Sequence, residues 1–463
     1  MIPLPTEVAR LLDAFRRPAF TRPTFERFVL LAVGAILTMG RRTVSRILWT
    51  MRAWLDGHPS SYHRFFSRRR WSPWPLARTL AAMVLELVPA DRPVHVAGDD
   101  TVAGHTGKQV YAKSCHRDAV RSNSQGRTVT KWGHQWVVLA VLVRFPFASR
   151  PWALPVLVAL YRNRELNGRE GRRHKTPAQL ARGLLAVLLR WSPGRRFVFL
   201  GDGGFASHEL ARYCRRRCRR VPGRLAIVAR CDADANLYAL PSAAALAGRD
   251  FGRRGCHKKH KLPRPGATAA AAKDHLHAAT VAWYGGGERA VRWVSACGGW
   301  YSTRAHGRDA VVPVRWVFVR DERGGREDYF YTTDLSMRPE RVIETFAGRW
   351  NIEVTFQEVR ALLGFETTRQ RVKASVLRAV PLLLGLFSVV ALLYARLAAD
   401  RKVIAPRRTP CYAKAEPTFS DALFAVRRLL WETLLQHGAP QWGVASIPPT
   451  FKETLLEYLS EAA

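Results

Sequence analysis

Apolar residues in the first 90 positions recur at helical spacing. One segment carries Val44, Ile47, Leu48 and Met51 on a single helical face. Another begins at Pro23, a residue that is favoured in the first turn of a helix. We therefore predict that residues 1–90 form a helical domain.

The pattern changes at Val94. Short β-branched or apolar runs ("VHVAG", "KWGHQWVVLAVLVRF", "RFVFLGDGGF", "RLAIVARCD") alternate with helical patterns, one of which has Thr176 as its predicted N-cap. Strands that alternate with helices indicate an α/β layer architecture. In such folds ligands bind beyond the carboxyl ends of the strands. We assign residues 91–231 to the first part of this core.

The rest of the chain divides into three further regions. Residues 232–335 read as a β-rich insertion, with strand segments "VRWVSAC", "VPVRWVFVRD" and "EDYFYTTDL" between glycine- and proline-rich loops. Residues 336–400 return to a helical pattern, and residues 401–463 form a C-terminal helical tail. The apolar run at 379–395 contains Pro381 and polar breaks, so we expect a core helix and no membrane segment.

Charge then narrows the choice of partner. The 463 residues include 74 Lys and Arg against 36 Asp and Glu, a formal net charge of +38. Such an excess indicates a polyanionic partner, with nucleic acid the leading candidate. Residues 1–90 are the predicted DNA-binding region, with phosphate contacts by Arg41, Arg42 and Arg46, although a solvated basic face explains these arginines equally well. Seven scattered cysteines make no disulfide framework and favour a reducing, cytoplasmic setting.

Two acidic positions stand out against this basic background. Asp99 and Asp100 follow the strand "VHVAG", and Asp202 follows a second buried strand. Adjacent carboxylates at a strand end are costly unless a cation lies beside them. Because side chains alternate along a strand, only one of Asp99 and Asp100 can point toward such a cation. Lys108, a little further on, is a candidate DNA contact, with a solvated loop as the alternative.

A third acid lies in "RPERVIETFAGRWNIEVTFQEVRALLGFE". We predict one helix here, starting at Pro339 and ending at Gly364. The offsets of Phe346, Arg349, Glu353 and Arg360 place the four on one helical face, so that arginines flank a carboxylate. Taken alone, this spacing is equally typical of ion pairs on a helix surface.

The spacing resembles the Tyr-x2-Arg-x3-Glu-x6-Lys signature of bacterial insertion-sequence transposases of the DDE class, with Phe346 in place of Tyr and Arg360 in place of Lys. "DDT…GK" and "GDGGFAS" resemble the first and second acidic motifs of the same family, in the same order. The resemblance implies a ribonuclease-H-like mixed sheet flanked by helices, with the β-rich insertion preceding the last catalytic helix. Arginine keeps the positive charge of the replaced lysine, whereas phenylalanine loses the tyrosine hydroxyl.

The resemblance also implies a mechanism and partners. Asp99 (preferred over Asp100), Asp202 and Glu353 would hold Mg²⁺, with Mn²⁺ as a substitute, in two-metal phosphodiester transfer. Arg349, Arg360 and Phe346 would contact double-stranded DNA, namely the terminal inverted repeats of the element and its target. The implied assembly is a homodimer that holds two DNA ends in the cytoplasm, on the nucleoid.

Three alternatives remain open at this stage. The chain could be a metal-dependent nuclease without strand transfer, or an inactive descendant that only binds DNA. Zinc sites are suggested by Cys256 with His257 and His260, and more weakly by the helical pair Cys214 and Cys218, but neither set has a second half at zinc-finger spacing. His134, in an apolar strand, is expected to be a hydrogen-bonded core residue.

Overall fold

The structure is a computed structural model that describes residues 2–118, 122, 128–240, 260–305, 310–401, 406–409, 412–437 and 449–461. The helices are α1 (Thr6–Asp13), α2 (Arg16–Ala19), α3 (Arg22–Leu37), α4 (Val44–Thr50), α5 (Ser60–Ser67), α6 (Pro73–Glu86), α7 (Arg164–Arg169), α8 (Pro177–Trp191), α9 (His208–Arg220), α10 (Pro265–Ala271), α11 (Pro339–Gly348), α12 (Asn351–Leu363), α13 (Lys373–Arg401), α14 (Phe419–His437) and α15 (Pro449–Ser460).

The strands are β1 (Val94–Gly104), β2 (Ser114–Arg117), β3 (Thr130–Val143), β4 (Trp152–Tyr161), β5 (Phe197–Gly201), β6 (Leu225–Arg230), β7 (Leu237–Tyr238), β8 (His277–Ala282), β9 (Glu288–Tyr301), β10 (Val311–Asp321), β11 (Glu327–Thr332), β12 (Arg408–Thr409) and β13 (Tyr412–Ala413). Short 3₁₀ turns occupy Arg52–Trp54, Gly203–Phe205, Lys273–His275 and Tyr284–Gly286.

Among the described residues, eleven strands form one mixed sheet in the order β2-β3-β1-β5-β6-β11-β10-β9-β7, with β4 also on β3 and β8 also on β9. Strands β1, β5 and β6 are parallel, whereas β3 runs antiparallel to β1. This mixed sheet flanked by helices is the predicted ribonuclease-H-like fold. The segment predicted as a β-rich insertion continues the same sheet, because β11 pairs with β6.

The two faces of the central strands bury different cores. Along β5, Phe197 and Phe199 belong to the main core, whereas Val198 and Leu200 belong to a second core on the other face. Helix α11 packs on the second core through Val342, Ile343 and Phe346. Side chains two positions apart in an extended chain share a face, so Asp202, two residues after Leu200, lies on the face that α11 covers.

Two predicted boundaries differ from the structure. Strand β1 does not end at the acid pair but runs on to Gly104, because its second half pairs with β3 from Asp99↔Val138 onward. The predicted helix from Pro339 to Gly364 is two helices, since backbone bonds tighten to i→i−3 at Arg349 and Trp350. Gly364 ends the second helix as predicted, with φ +63°.

A buried arginine, Arg427, joins helices from the two ends of the chain. Arg427, on α14, is fully buried and donates to the carbonyls of Ile36, Thr38 and Glu461. Its Nε lies 2.7 Å from the Ile36 oxygen. These acceptors are at the carboxyl ends of α3 and α15, where carbonyls lack helical donors and the helix dipole is negative. Arg427 therefore joins the N-terminal helices to the C-terminal tail.

Helix α13 is the one helix of the described residues whose length and composition would suit a membrane span, and 72% of its most apolar stretch is buried within the fold. Its Ser388 hydroxyl donates to the Pro155 carbonyl of β4 at 2.8 Å. The helix thus lies against the sheet, as expected for a core helix.

Candidate active site

The first two acids are neighbours because of strand register. Gly98 of β1 pairs with Gly201 of β5 in a parallel ladder, and the acids Asp99 and Asp202 come directly after this pair. Adjacent strands are about 4.8 Å apart, so the two acids begin side by side. Both glycines are required by close packing. A Cβ on Gly98 would lie 2.3 Å from the Phe199 ring, and one on Gly201 would lie 2.7 Å from the Phe205 Cβ.

Alternation along β1 separates the acid pair. The Asp99 carboxylate contacts Arg349, whereas Asp100 accepts a hydrogen bond from the Gln135 side chain of β3 on the other face. The Asp202 carboxylate caps the following 3₁₀ turn, accepting from the Gly204 N–H at 2.9 Å. The structure thus brings Asp99, and not Asp100, to the side on which the third acid lies.

Arg349 connects the acids of two elements. Its Nη1 lies 3.1 Å from Asp99 Oδ2 and its Nη2 lies 2.7 Å from Glu353 Oε1. The side chains of Asp99 and Arg349 are 13% and 11% exposed, whereas Glu353 is 41% exposed. The arginine occurs at the junction of α11 and α12, four residues before Glu353. One guanidinium group therefore lies between two of the three predicted metal ligands.

Phe346 is part of the core that holds this arginine. It is 3% exposed, and its ring stacks on Phe330 of β11 at a centroid distance of 4.2 Å. The guanidinium carbon of Arg349 lies 5.6 Å from the Phe346 ring centre. The predicted DNA contact by Phe346 therefore needs correction, since the ring is buried and supports Arg349.

A cavity of about 670 Å³ opens beside these side chains. Its lining includes Asp202, Glu353, Arg349 and Phe346, and also residues that the sequence analysis did not single out: Gly203, Gly204, Arg230, Tyr284, Arg326 and Trp350. Arg230 and Arg326 both pair with the buried carboxylate of Asp328, at 2.6 and 2.8 Å. Arg230, at the end of β6, and Arg326, next to β11, therefore form a basic wall of the cavity.

The positive charge of Arg349 compensates the burial of Asp99 only in part. Burial raises the pKa of Asp99 to about 7, because Arg349 only partly offsets the loss of water and the carboxylates of Asp202 and Asp100 raise it further. Burial also works against the charge on Arg349, but Asp99 and Glu353 outweigh it and the pKa of Arg349 is raised. A further cation near Asp99 would stabilise its ionised form.

The chemistry of the acids fits a hard divalent cation, although their present arrangement does not coordinate one. Within the part of the chain that the structure describes, no three His, Cys, Asp or Glu side chains are set as ligands of a single ion. The donors are nevertheless carboxylate oxygens, which Mg²⁺ prefers. A guanidinium already stands in as a cation between Asp99 and Glu353.

Arg360 lies further along the same helix. Its Nε donates to Glu366 at 3.2 Å and another nitrogen donates to the Thr101 hydroxyl, two residues beyond Asp99 on β1. Arg360 is 34% exposed and thus reaches solvent beside the acids. Lys108 is exposed on the loop after β1.

The three N-terminal arginines differ in their exposure to solvent. Arg41 and Arg46 are exposed, as a phosphate contact requires. Arg42 is only 5% exposed and donates to backbone carbonyls, including that of Leu362 at the end of α12. The prediction that Arg42 contacts DNA is therefore corrected: the residue fastens the helical region to α12, and burial lowers its pKa to about 10.

The other described candidates for metal binding, His134 and Cys214, are buried residues of the core. His134 is 4% exposed and its Nε2 bonds the Tyr111 carbonyl at 2.8 Å, which confirms a core histidine. Cys214 is buried on α9, where burial raises its thiol pKa, and it does not form a metal group with Cys218 among the described residues. Cys256 and His257 lie outside the described residues.

The fold and the acids define a class, that of ribonuclease-H-like enzymes that cleave nucleic acids. The chain belongs to the DDE superfamily of endonucleases, whose family model matches residues 15–290, a stretch that includes Asp99 and Asp202. Residues 299–394, which include Glu353, match the archaeal ISC1217-type transposase family. No curated protein matches the chain. The predicted family is thus confirmed, and it makes the chain a DNA-acting transposase or nuclease of a superfamily that uses divalent metals.

Proposed function

We propose that the chain is the transposase of an insertion sequence, which cuts the ends of its element and joins them to target DNA. One observation supports this most: Asp202 and Glu353, which are far apart in the sequence, line one basic cavity. Arg349, in the same lining, pairs with Glu353 and with Asp99 of the neighbouring parallel strand. Phosphodiester transfer needs positioned phosphates and charge stabilisation and no nucleophilic side chain. The site supplies arginines that can position phosphates and carboxylates that can hold cations for charge stabilisation.

Asp99, Asp202 and Glu353 are the residues that would hold divalent ions, with Mg²⁺ as the cofactor and Mn²⁺ as a substitute. When bound, such ions activate the attacking oxygen and stabilise the leaving oxygen of an in-line displacement. The buried side of the site keeps Asp99 away from bulk water. Glu353 faces the cavity on its more open side.

The surrounding arginines would hold the DNA. Arg349 and Arg360 lie along one edge of the acids, and Arg230 and Arg326 line the cavity beside them. Their guanidinium groups can each grip phosphate oxygens with two donors. Phosphates on both sides of the scissile bond would then be fixed. Arg41, Arg46 and Lys108 would extend this contact to DNA further away.

The biological setting follows from the reaction. The substrates would be the terminal inverted repeats and a target duplex, which a homodimer would hold together in the cytoplasm, on the nucleoid. Two ends must be cut and joined as a pair, and a dimer provides one site for each.

The test uses the DNA that flanks the gene, with both ends on a donor fragment, a target plasmid and Mg²⁺. Wild type is expected to nick the ends and then join them to the plasmid. Glu353→Gln is expected to do neither. Glu358→Gln provides a matched control, since it makes the same change on the same helix where the side chain packs away from the cavity, toward α14. Cleaved ends that never join the plasmid would instead identify a nuclease.

A further inference from the structure

The guanidinium of Arg349 occupies the carboxylate oxygens that the proposed function assigns to metal. Asp99 Oδ2 and Glu353 Oε1 both accept from Arg349, at 3.1 and 2.7 Å. The remaining oxygen of Asp99, Oδ1, accepts from the Asp100 N–H at 2.8 Å. Both oxygens of Asp99 are therefore already in use.

A divalent ion and this guanidinium compete for those oxygens. Mg²⁺ requires ligand oxygens at about 2.0–2.1 Å in a nearly octahedral arrangement, so a donor nitrogen cannot also point at the same lone pairs. Two cations in a poorly hydrated site also repel each other strongly. The same side chain therefore determines whether the carboxylates are open to metal.

The Arg349 side chain has room to move. Its Nε is buried and has no hydrogen-bond partner among the described residues, so the group is held only through its two ion pairs and the Phe346 ring. It lines the cavity, and the 3₁₀-like turn beside it connects α11 to α12. A rotation of the side chain into the cavity breaks no backbone hydrogen bond.

We propose that Arg349 is an internal competitor of the divalent metal, which leaves Asp99 and Glu353 when the ion binds and then becomes available to a DNA phosphate. The inference rests on the proposed function, because it assigns a regulatory step to the same site. Its consequence is coupling: a chain without metal keeps its main phosphate-gripping arginine engaged with its own acids. Metal loading then prepares both the acids and the DNA contact.

The experiment measures Mn²⁺ binding to the full-length chain without DNA, by the loss of the free-ion electron paramagnetic resonance signal. Arg349→Gln is expected to bind Mn²⁺ at least about tenfold more tightly than wild type, since it removes the competing charge. Arg349→Lys, which keeps the charge but lacks the two-pronged grip, is expected to lie between them. Arg341→Gln is the control, because it removes one positive charge from α11 at a side chain that pairs with Glu344.

Circular dichroism identifies the variants that remain folded, and a gain of affinity in a folded variant separates competition from a merely structural role. Equal Mn²⁺ affinity in wild type and Arg349→Gln, with binding lost in Glu353→Gln, would overturn the competition and leave the proposed metal site intact. An equal gain in Arg341→Gln would also overturn it, because the effect would then be one of general charge. Absence of Mn²⁺ binding in every variant would overturn the metal site and the competition together.

Discussion

Arg349 and Arg427 are both largely enclosed cations, and different partners stabilise their charges. Arg349 lies between carboxylates of two elements at the edge of a cavity. Arg427 is fully enclosed and its acceptors are backbone carbonyls at helix ends. Burial lowers the pKa of Arg427 to about 9, whereas the pKa of Arg349 is raised once its acids outweigh burial.

On the proposed function, the difference separates a functional charge from a structural one. Carboxylates can exchange one cation for another, so the partners of Arg349 are suited to binding metal. Carbonyls at the end of a helix need a donor in every state of the protein. Substitutions near Arg349 should therefore affect chemistry, and substitutions near Arg427 should affect stability.

The largest effect is expected at the acids. Asp202→Asn should lower the rate of DNA cleavage by roughly a thousandfold, since a metal contributes several kcal/mol to transition-state stabilisation. The midpoint of thermal unfolding should hardly change, because the amide can still accept from the Gly204 N–H. Gel assays of cleavage and circular dichroism measure the two quantities. Cleavage at the wild-type rate would remove Asp202 from the site.

Arg427→Met tests the structural side of the comparison. Several buried carbonyls would lose their donor, which should lower the free energy of unfolding by about 3 kcal/mol. Denaturant titration measures this loss. The folded variant should still cleave DNA at the wild-type rate per molecule. A variant that is as stable as wild type but inactive would reverse the roles given to the two arginines.

A pH dependence of stability is expected from Glu358, on α12. Glu358 faces Arg150 and Lys414 and accepts from the Phe419 N–H, yet burial raises its pKa to about 7. The folded chain then holds more protons than the unfolded one between pH 4.5 and about 7, so this residue makes stability fall as pH rises through that window. Above about pH 7 the stability that Glu358 costs the fold no longer changes with pH.

Glu358→Gln should therefore gain stability relative to wild type with rising pH, reaching about 2 kcal/mol near pH 7 once partial exposure of the side chain is allowed for. Chemical denaturation at several pH values gives the difference directly. Glu353→Gln is measured beside it, as the same substitution at a partly exposed side chain of the same helix. A constant difference across the window would contradict the burial argument.

The smallest effect is expected at the basic wall of the cavity. Arg326→Gln removes one proposed phosphate contact, so DNA binding should weaken a few-fold and the salt slope of log K should become shallower by about 0.9. Fluorescence anisotropy at several salt concentrations measures both. Arg292→Gln is the control, as its guanidinium pairs with the exposed Glu322.

Local patterns predicted much of the core. The strands before the acids, the Thr176 N-cap of α8 and the Gly364 end of α12 are all present. These features depend on residues close together in the chain. The full length of β1 was not predictable in this way, because its second half is fixed by pairing with β3.

The site was predictable as a set of residue types and less so as an arrangement. Helical spacing placed Arg349 and Glu353 on one face, but the Asp99 partner of that arginine comes from a distant strand. Arg42 illustrates the opposite case. In the sequence it resembles its neighbours Arg41 and Arg46, and only the packing of α12 makes it a buried donor. Arg230 and Arg326 carried no motif at all.

The ladder between β6 and β11 limits how the molecule can rearrange around a duplex. Three residue pairs, from Phe330↔Arg230 to Thr332↔Val228, bind the later strands to the strand next to Asp202. A hinge at this position would have to break backbone hydrogen bonds in a buried sheet, so both walls of the cavity should move as one rigid body. Any accommodation of DNA of different shapes then has to come from side chains and from the α11–α12 turn.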